Sequence, residues 1–206
     1  FGTIGNVKVV AMQGRFHYYE GYSMQELTFP VRVMHALGIQ NLIVSNASGG
    51  VNSSFKVGDI MLIKDHINMM PEHPLRGTND DRFGPRFVNM SEPYSLTLLS
   101  KAKEIAKELN IKVQEGVYVG LQGPTFETLA EYKMIKAIGG DCVGMSTVPE
   151  IIVAKHMNMN CFGVSVITDI GDLENIDEVN HDEVLKAAKK AEPQVRNLIK
   201  NLILSF

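Results

Sequence analysis

The sequence has 206 residues and a formal net charge of −3, with 45% hydrophobic and 21% charged residues. These values are ordinary for a globular domain, and they argue against a nucleic-acid or anionic-membrane partner. No apolar run approaches the ~18 residues of a membrane span, so no membrane association is expected. The two cysteines, Cys142 and Cys161, lie in apolar runs, which favours free thiols in a reducing, cytoplasmic location.

Residues 1–10 have the pattern of the middle of a β-hairpin, so an N-terminal segment is expected to precede Phe1. Six short apolar runs occur along the chain. Several are apolar on consecutive residues, as in strands that are buried on both faces. The predicted strands are residues 7–12, 41–45, 59–66, 113–121, 141–144 and 160–168.

Helix starts are predicted where Ser, Thr or Asn precedes Glu by three residues, because this pair satisfies two backbone N–H groups at a helix N-terminus. These residues are Ser23, Thr128, Thr147 and Asn180. An apolar stripe from Leu98 to Leu109 predicts another helix. Strands that alternate with helices predict an α/β fold, with a single-domain mixed β-sheet flanked by helices. Residues 68–89 fit neither pattern and predict a long loop, which is usually functional or disordered.

Residues 13–22 follow the first predicted strand and contain several chemically active side chains. If the strand continues extended, Arg15, His17 and Tyr19 project to one side. A guanidinium beside an imidazole suits an oxyanion, and Glu20 could hold the imidazole in one tautomer. A solvated edge strand with an incidental ion pair is the alternative interpretation.

Residues 44–50 contain two glycines after an apolar run, which predicts a Gly-rich turn at a strand end. In such a turn, backbone N–H groups can approach an anion or a polar ligand. The glycine spacing matches neither the dinucleotide fingerprint nor the P-loop. Taken alone, the segment favours a plain tight turn.

Polar residues also follow the later strands. Glu127 lies just before a predicted helix cap and could accept a hydrogen bond from a ligand, or merely face the helix dipole. Ser146 lies near a helix N-terminus, which suits phosphate, and Asp169 lies at a strand end. The histidines lack metal-ligand spacing, so no metal site is expected. Together, these junctions lie where open α/β sheets bind ligands.

Five blocks of the sequence, in order and covering essentially the whole chain, resemble the trimeric purine nucleoside phosphorylases. The blocks are residues 12–22, 46–50, 58–63, 123–128 and 144–150. The resemblance implies that inorganic phosphate cleaves the bond between a purine and ribose or deoxyribose, which yields free base and pentose 1-phosphate. Phosphate is then a co-substrate, and no metal or organic cofactor is implied.

The resemblance also implies residue roles. The phosphate-binding residues would be Arg15, His17, Ser146 and the backbone N–H of Ala47. The catalytic residues would be His17, which Glu20 orients, together with Glu127 and Asp169 at the base. Tyr19 and Met145 would contact the sugar hydroxyls, His181 the 5′-hydroxyl, and Phe126 the base and sugar. Phe87 resembles a residue that a neighbouring subunit lends to the sugar site, so a homotrimer is expected.

Asp169 departs from the family pattern, in which the best-known members have Asn at this position. A carboxyl group donates a hydrogen bond to the purine only when it is protonated. Methylthioadenosine phosphorylases resemble this chain at Asp169 but lack a counterpart of Glu127. Because Glu127 is present, 6-oxopurine nucleosides such as inosine and guanosine are favoured, with Asp169 protonated or bridged by water.

Three alternatives remain open: a methylthioadenosine- or adenosine-type phosphorylase, an inactive nucleoside-binding module or fragment, and a hydrolase that uses water. The absence of an Asp-rich cluster argues against the usual metal-dependent nucleosidases. The family also begins with a strand and a Gly-rich loop whose serine binds phosphate. We therefore expect residues 1–206 to form one nucleoside phosphorylase domain that lacks this N-terminal part.

Overall fold

The computed structural model describes residues 1–171 and 181–206, apart from the side chain of His181. Within these residues the strands are β1 (Gly2–Ile4), β2 (Val7–Val9), β3 (Asn41–Gly50), β4 (Ile60–Asn68), β5 (Val113–Gly120), β6 (Cys142–Gly144) and β7 (Asn160–Ile170). The helices are α1 (Met24–Ala36), α2 (Leu96–Glu108), α3 (Leu129–Ala137), α4 (Val148–His156) and α5 (His181–Leu204), with a 3-10 turn at Tyr18–Glu20.

Five strands form one mixed sheet that closes into a barrel in the order β3-β6-β5-β4-β7. The β3/β7, β4/β5 and β5/β6 pairs are parallel, whereas β3/β6 and β4/β7 are antiparallel. Helix α5 packs on β7 and α2, and α1 packs on α4. The predicted mixed sheet with flanking helices is confirmed, but its closure into a barrel was not predicted.

Strands β1 and β2 form a separate antiparallel hairpin, whose turn contains Gly5 in the left-handed region at φ 58°. The hairpin predicted for the first ten residues is confirmed. The strand predicted over residues 7–12 is too long, since β2 ends at Val9.

The predicted helix caps hold where the structure describes them. Ser23 and Thr128 each accept from the N–H of the Glu three residues later, and that Glu accepts from the cap N–H in return. Thr147 has the reciprocal contact through Glu150. Asn180, the fourth predicted cap, lies outside the described residues.

Strand β3 is longer than the sequence predicted, because it continues through the glycines interpreted as a turn. Gly49 and Gly50 pair with Asp169 and Ile170 of β7. A Cβ on Gly49 would lie 2.8 Å from Asp169 Oδ2, and one on Gly50 would lie 2.7 Å from Ile170 Cδ1. The glycines therefore permit a close approach between strands, and the predicted turn is wrong.

Residues 69–95 connect β4 to α2 without a helix or strand, which confirms the predicted long loop. Its path is fixed by internal contacts, such as the Arg86 Nη1 hydrogen bonds to the carbonyls of Leu75 at 2.9 Å and Gly77 at 2.8 Å. Arg32 of α1 also stacks over the Phe83 ring, 4.7 Å from its centre. Among the described residues, no helix has the length and apolar character needed to cross a membrane.

Replacing Ser23 by alanine removes the acceptor for the Glu26 N–H at the start of α1. The free energy of unfolding is expected to fall by about 1 kcal/mol, as for other helix caps. Chemical denaturation measures the change. Ser53→Ala at an exposed position is the control and should stay within about 0.5 kcal/mol of the parent. Equal losses in both variants would contradict the cap.

Candidate active site

Arg15 joins the N-terminal segment to strand β3 and helix α4. Its Nη1 donates to the Ser45 carbonyl at 2.9 Å, and its Nε donates to Glu150 Oε2 at 3.0 Å. Glu150 Oε2 also accepts from the Thr147 N–H at 3.1 Å. These contacts use two of the five guanidinium N–H groups and fix the plane of the fork, which suits it to an oxyanion.

His17, Tyr19 and Glu20 are arranged by a 3-10 turn, so the extended path predicted through this segment is wrong beyond His17. Glu20 Oε2 accepts from the His17 backbone N–H at 2.6 Å and lies 3.5 Å from Nδ1 of the His17 ring. The His17 and Tyr19 rings stack with centres 4.9 Å apart. Burial and the neighbouring Arg15 lower the pKa of His17, against the opposing effect of Glu20. The lowered pKa favours the neutral imidazole at pH 7.

A chain of hydrogen bonds, most of them partly buried, connects the start of α4 to β3 and β7. The Ser146 and Thr147 hydroxyls are 3.1 Å apart, and Asn46 Nδ2 donates to Thr147 Oγ1 at 2.8 Å. Ser165 donates to Asn46 Oδ1 at 2.5 Å and lies 2.6 Å from the Ser48 hydroxyl. Through Thr147 and Asn46, these bonds connect Ser146 to β3. Arg15 contacts the same helix, α4, through Glu150.

Ala47 lies on β3, next to Asn46 and two residues after Ser45, and is exposed. A cavity of about 850 Å³ opens beside Ser45, Asn46 and Ala47, between the β1 hairpin and α5. Arg15 contacts the carbonyl of Ser45, two residues before Ala47. The structure therefore brings Arg15 close to Ala47 in the middle of β3, and it connects Ser146 to the same strand through Thr147 and Asn46.

Asp169 lies near the end of β7, where the ladder between β3 and β7 shifts by one residue at Ser48/Gly49. This bulge leaves Thr168 unpaired and places Asp169 opposite Gly49. Such bulges redirect side chains next to active sites. Thr168 Oγ1 donates to Asp169 Oδ1 at 3.0 Å, while Oδ2 lies over Gly49.

Glu127 and Asp169 form a second, carboxyl-rich part of the site. Burial raises the pKa of Glu127, and the charge of Asp169 raises it further. Burial also raises the pKa of Asp169. Glu127 does not serve the helix cap, because Glu131 accepts from the Thr128 N–H at 2.7 Å. Two carboxyl groups in such surroundings favour holding a proton.

The other predicted site residues differ in their contacts and exposure. Met145 packs against the backbone of Gly123, which joins the segment before α4 to the segment before α3. Phe126 is 43% exposed and Phe87 is 89% exposed, so both rings are available to a ligand or another molecule. His181 begins α5, but its side chain and residues 172–180 lie outside the described residues. In the described part of the chain, no group of three His, Cys, Asp or Glu residues could hold a metal ion.

Comparison with known proteins identifies the family of this chain. Residues 1–204 match the family model described as Phosphorylase superfamily. The chain is 49% identical to purine nucleoside phosphorylase 1 of Bacillus subtilis, covering 100% of this chain and 76% of the relative. It is 50% identical to the mouse purine nucleoside phosphorylase, covering 100% and 74%. This chain belongs to the purine nucleoside phosphorylases.

Solved structures agree with this assignment. The Schistosoma mansoni purine nucleoside phosphorylase in complex with inosine superposes with a TM-score of 0.94 at 42% identity, covering 98% of this chain and 74% of that one. The same enzyme in complex with adenosine gives a TM-score of 0.90 at 42% identity, covering 93% and 71%. The fold expected from the resemblance is therefore confirmed.

The sequence did not identify several residues that support this site. They are Asn46, Tyr118, Thr147 and Ser165, which hold Ser146 in place, and Tyr132, which lies near the two carboxyl groups. Glu150 was predicted only as a helix cap. The one available signal was that Asn46 and Ser165 are polar residues inside apolar strand runs, where a buried polar group needs a partner.

Arg15→Lys keeps the positive charge but loses the planar fork that bonds Ser45 and Glu150. The dissociation constant for inorganic phosphate is expected to rise about tenfold, in line with the loss of one hydrogen bond to a charged group. Isothermal titration calorimetry measures it. Arg76→Lys, at an exposed loop position, is the matched control. Unchanged phosphate affinity in Arg15→Lys would show that Arg15 does not bind the anion.

Proposed function

We propose that this phosphorylase cleaves purine nucleosides with inorganic phosphate, to free base and ribose or deoxyribose 1-phosphate, with preference for 6-oxopurines. One observation carries the proposal: strand β3 supports a cationic end at Ser45 and a carboxyl end at Gly49. Four residues of extended chain separate them by ~13 Å. This spacing suits a substrate with phosphate at one end and a purine at the other.

The proposed phosphate end contains Arg15, His17, Ser146 and the N–H of Ala47. Arg15 supplies charge and direction. Glu20 fixes His17 through its backbone N–H, so the single N–H of the neutral imidazole can donate to the anion. Phosphate attacks C1′ as the C1′–N9 bond breaks, and the bonding electron pair leaves with the purine. Donors fixed before the reaction stabilise the developing charge without reorganisation.

The proposed base end contains Glu127 and Asp169. A 6-oxopurine carries an N1–H donor, which ionised Glu127 accepts. Its N7 is an acceptor that gains negative charge as the bond breaks, and protonated Asp169 donates to it. The raised pKa of the half-buried Asp169 supports this role, because the group holds its proton at a higher pH than an exposed carboxyl.

The sugar would lie between these ends, against Tyr19, Met145 and Phe126, with His181 at the 5′-hydroxyl. We further propose a homotrimer in which Phe87 reaches the neighbouring sugar site. The Phe87 ring is 89% exposed and is therefore accessible to a neighbouring subunit. Phosphate acts as co-substrate, and no other cofactor is proposed.

The direct test measures kcat/KM for inosine, guanosine, adenosine and methylthioadenosine, with and without phosphate and with a metal chelator. Inosine and guanosine are expected to be cleaved only with phosphate, to yield pentose 1-phosphate, and the chelator should not change the rate. A clear preference for either adenine nucleoside would overturn the choice of substrate. Cleavage without phosphate would indicate a hydrolase, and binding without turnover would indicate an inactive module.

Asp169→Asn replaces the titrating donor with an amide that donates at every pH. In the parent, kcat/KM for inosine should fall as pH rises through the raised pKa of Asp169, because the ionised carboxylate no longer donates. The stabilisation that the protonated group gives the folded state is lost over the same range. The variant should retain its activity there. A pH–rate profile measures both, and an identical alkaline decline in the variant would contradict protonation at Asp169.

A further inference from the structure

The phenol hydroxyl of Tyr132, on α3, lies close to the carboxyl groups of Glu127 and Asp169. Its ring is 6% exposed and packs in a small apolar cluster with Val51, Val119, Ile135 and Val143. The hydroxyl is fully buried, yet it completes no hydrogen bond with any residue that the structure describes. A buried hydroxyl without a partner is costly, so its position calls for a functional explanation.

The hydroxyl and the Asp169 carboxyl converge on one point. A Cβ built on Gly49 would lie 2.8 Å from Asp169 Oδ2 and 3.5 Å from Tyr132 Oη. Burial raises the pKa of Tyr132, and the charges of Glu127 and Asp169 raise it further. The phenol therefore keeps its proton and can donate a hydrogen bond to an ionised carboxylate.

The hydroxyl favours Glu127 over Asp169 as its acceptor. It is close enough to Glu127 to lower the pKa of that carboxyl, against the larger effect of burial. Asp169 has its own donor, because Thr168 Oγ1 lies 3.0 Å from Oδ1. Within the described part of the chain, Glu131 also acts on Glu127 with a like charge, and its carboxylate accepts from the Thr128 N–H at 2.7 Å.

One proton shared by two carboxyl groups can take two positions, and each position matches a different purine. With Glu127 ionised and Asp169 protonated, the pair accepts from N1–H and donates towards O6 or N7, as a 6-oxopurine requires. With Glu127 protonated and Asp169 ionised, the pair donates to N1 and accepts from the amino group, as a 6-aminopurine requires. The position of the proton therefore selects the base.

We propose that Tyr132 is a specificity-determining positioning residue, whose hydroxyl donates to Glu127 and so holds the shared proton on Asp169. This inference rests on the proposed function. Tyr132 does not touch the reacting atoms and acts through the carboxyl pair. The Tyr132 hydroxyl thereby biases a site that contains both Glu127 and Asp169 towards 6-oxopurines.

Tyr132→Phe removes only the hydroxyl and leaves the packed ring, so folding should be unaffected, as thermal unfolding can confirm. The ratio of kcat/KM for inosine to that for adenosine is expected to fall about tenfold or more, the range for losing a hydrogen bond to a charged group. The acid limb of the inosine pH–rate profile should move to higher pH, because Glu127 loses a donor that stabilises its ionised form. Tyr22→Phe, on a ring that is 39% exposed, should change neither.

Binding of the free bases provides a readout that does not depend on turnover. Calorimetry should show the affinity ratio of hypoxanthine to adenine falling in Tyr132→Phe by a similar factor. An unchanged base preference and an unchanged acid limb would overturn the role of Tyr132 while leaving the proposed function intact. A parent protein that binds these bases without cleaving inosine would instead overturn the proposed function, and the affinity ratio would still test Tyr132.

Discussion

The parallel pairing of β3 with β7 is the constraint on which the site depends. The ladder runs from Asn41 and Asn160 to Gly50 and Ile170, and it shifts once, at Ser48/Gly49. Because successive side chains of a strand alternate between faces, a change of one residue in register would turn every later side chain to the other face. The shift thus decides that Asp169 faces Gly49, and the missing side chain of Gly49 leaves room for the carboxyl group.

The opposite end of the site depends on partly buried polar contacts between elements that are distant in sequence. Asn46 donates to Thr147 across 101 positions, and Ser165 donates to Asn46 across 119. Thr147 has φ 69° and ψ −55°, a conformation that costs a β-branched residue on the order of 1–3 kcal/mol. Such strain persists only where the surroundings fix it, and these bonds supply that fixation. The start of α4, with Ser146, is therefore held rigidly against β3.

The sequence predicts best what is decided locally. The starts of α1 and α3 followed from Ser23 and Thr128, because a cap and its Glu lie three residues apart. Gly49 and Gly50 misled the prediction, since a glycine pair in a turn and one beneath a neighbouring strand look alike without that strand. The resemblance assigned Asp169 and Glu127 to one site, but Tyr132 had no sequence signal. A tyrosine in a helix is usually a packed core residue, and only the fold shows that the Tyr132 hydroxyl lies near the two carboxyl groups.

In the proposed mechanism, base selection reduces to the location of one proton, since two half-buried carboxyl groups, of which Asp169 raises the pKa of Glu127, resist a double negative charge. Infrared difference spectroscopy of the protein bound to hypoxanthine at neutral pH observes this proton through the carbonyl stretch of a protonated carboxyl group. We expect this band in the parent and in Glu127→Gln, and its loss in Asp169→Asn. A parent spectrum with carboxylates alone, or a band that survives Asp169→Asn, would contradict a protonated Asp169.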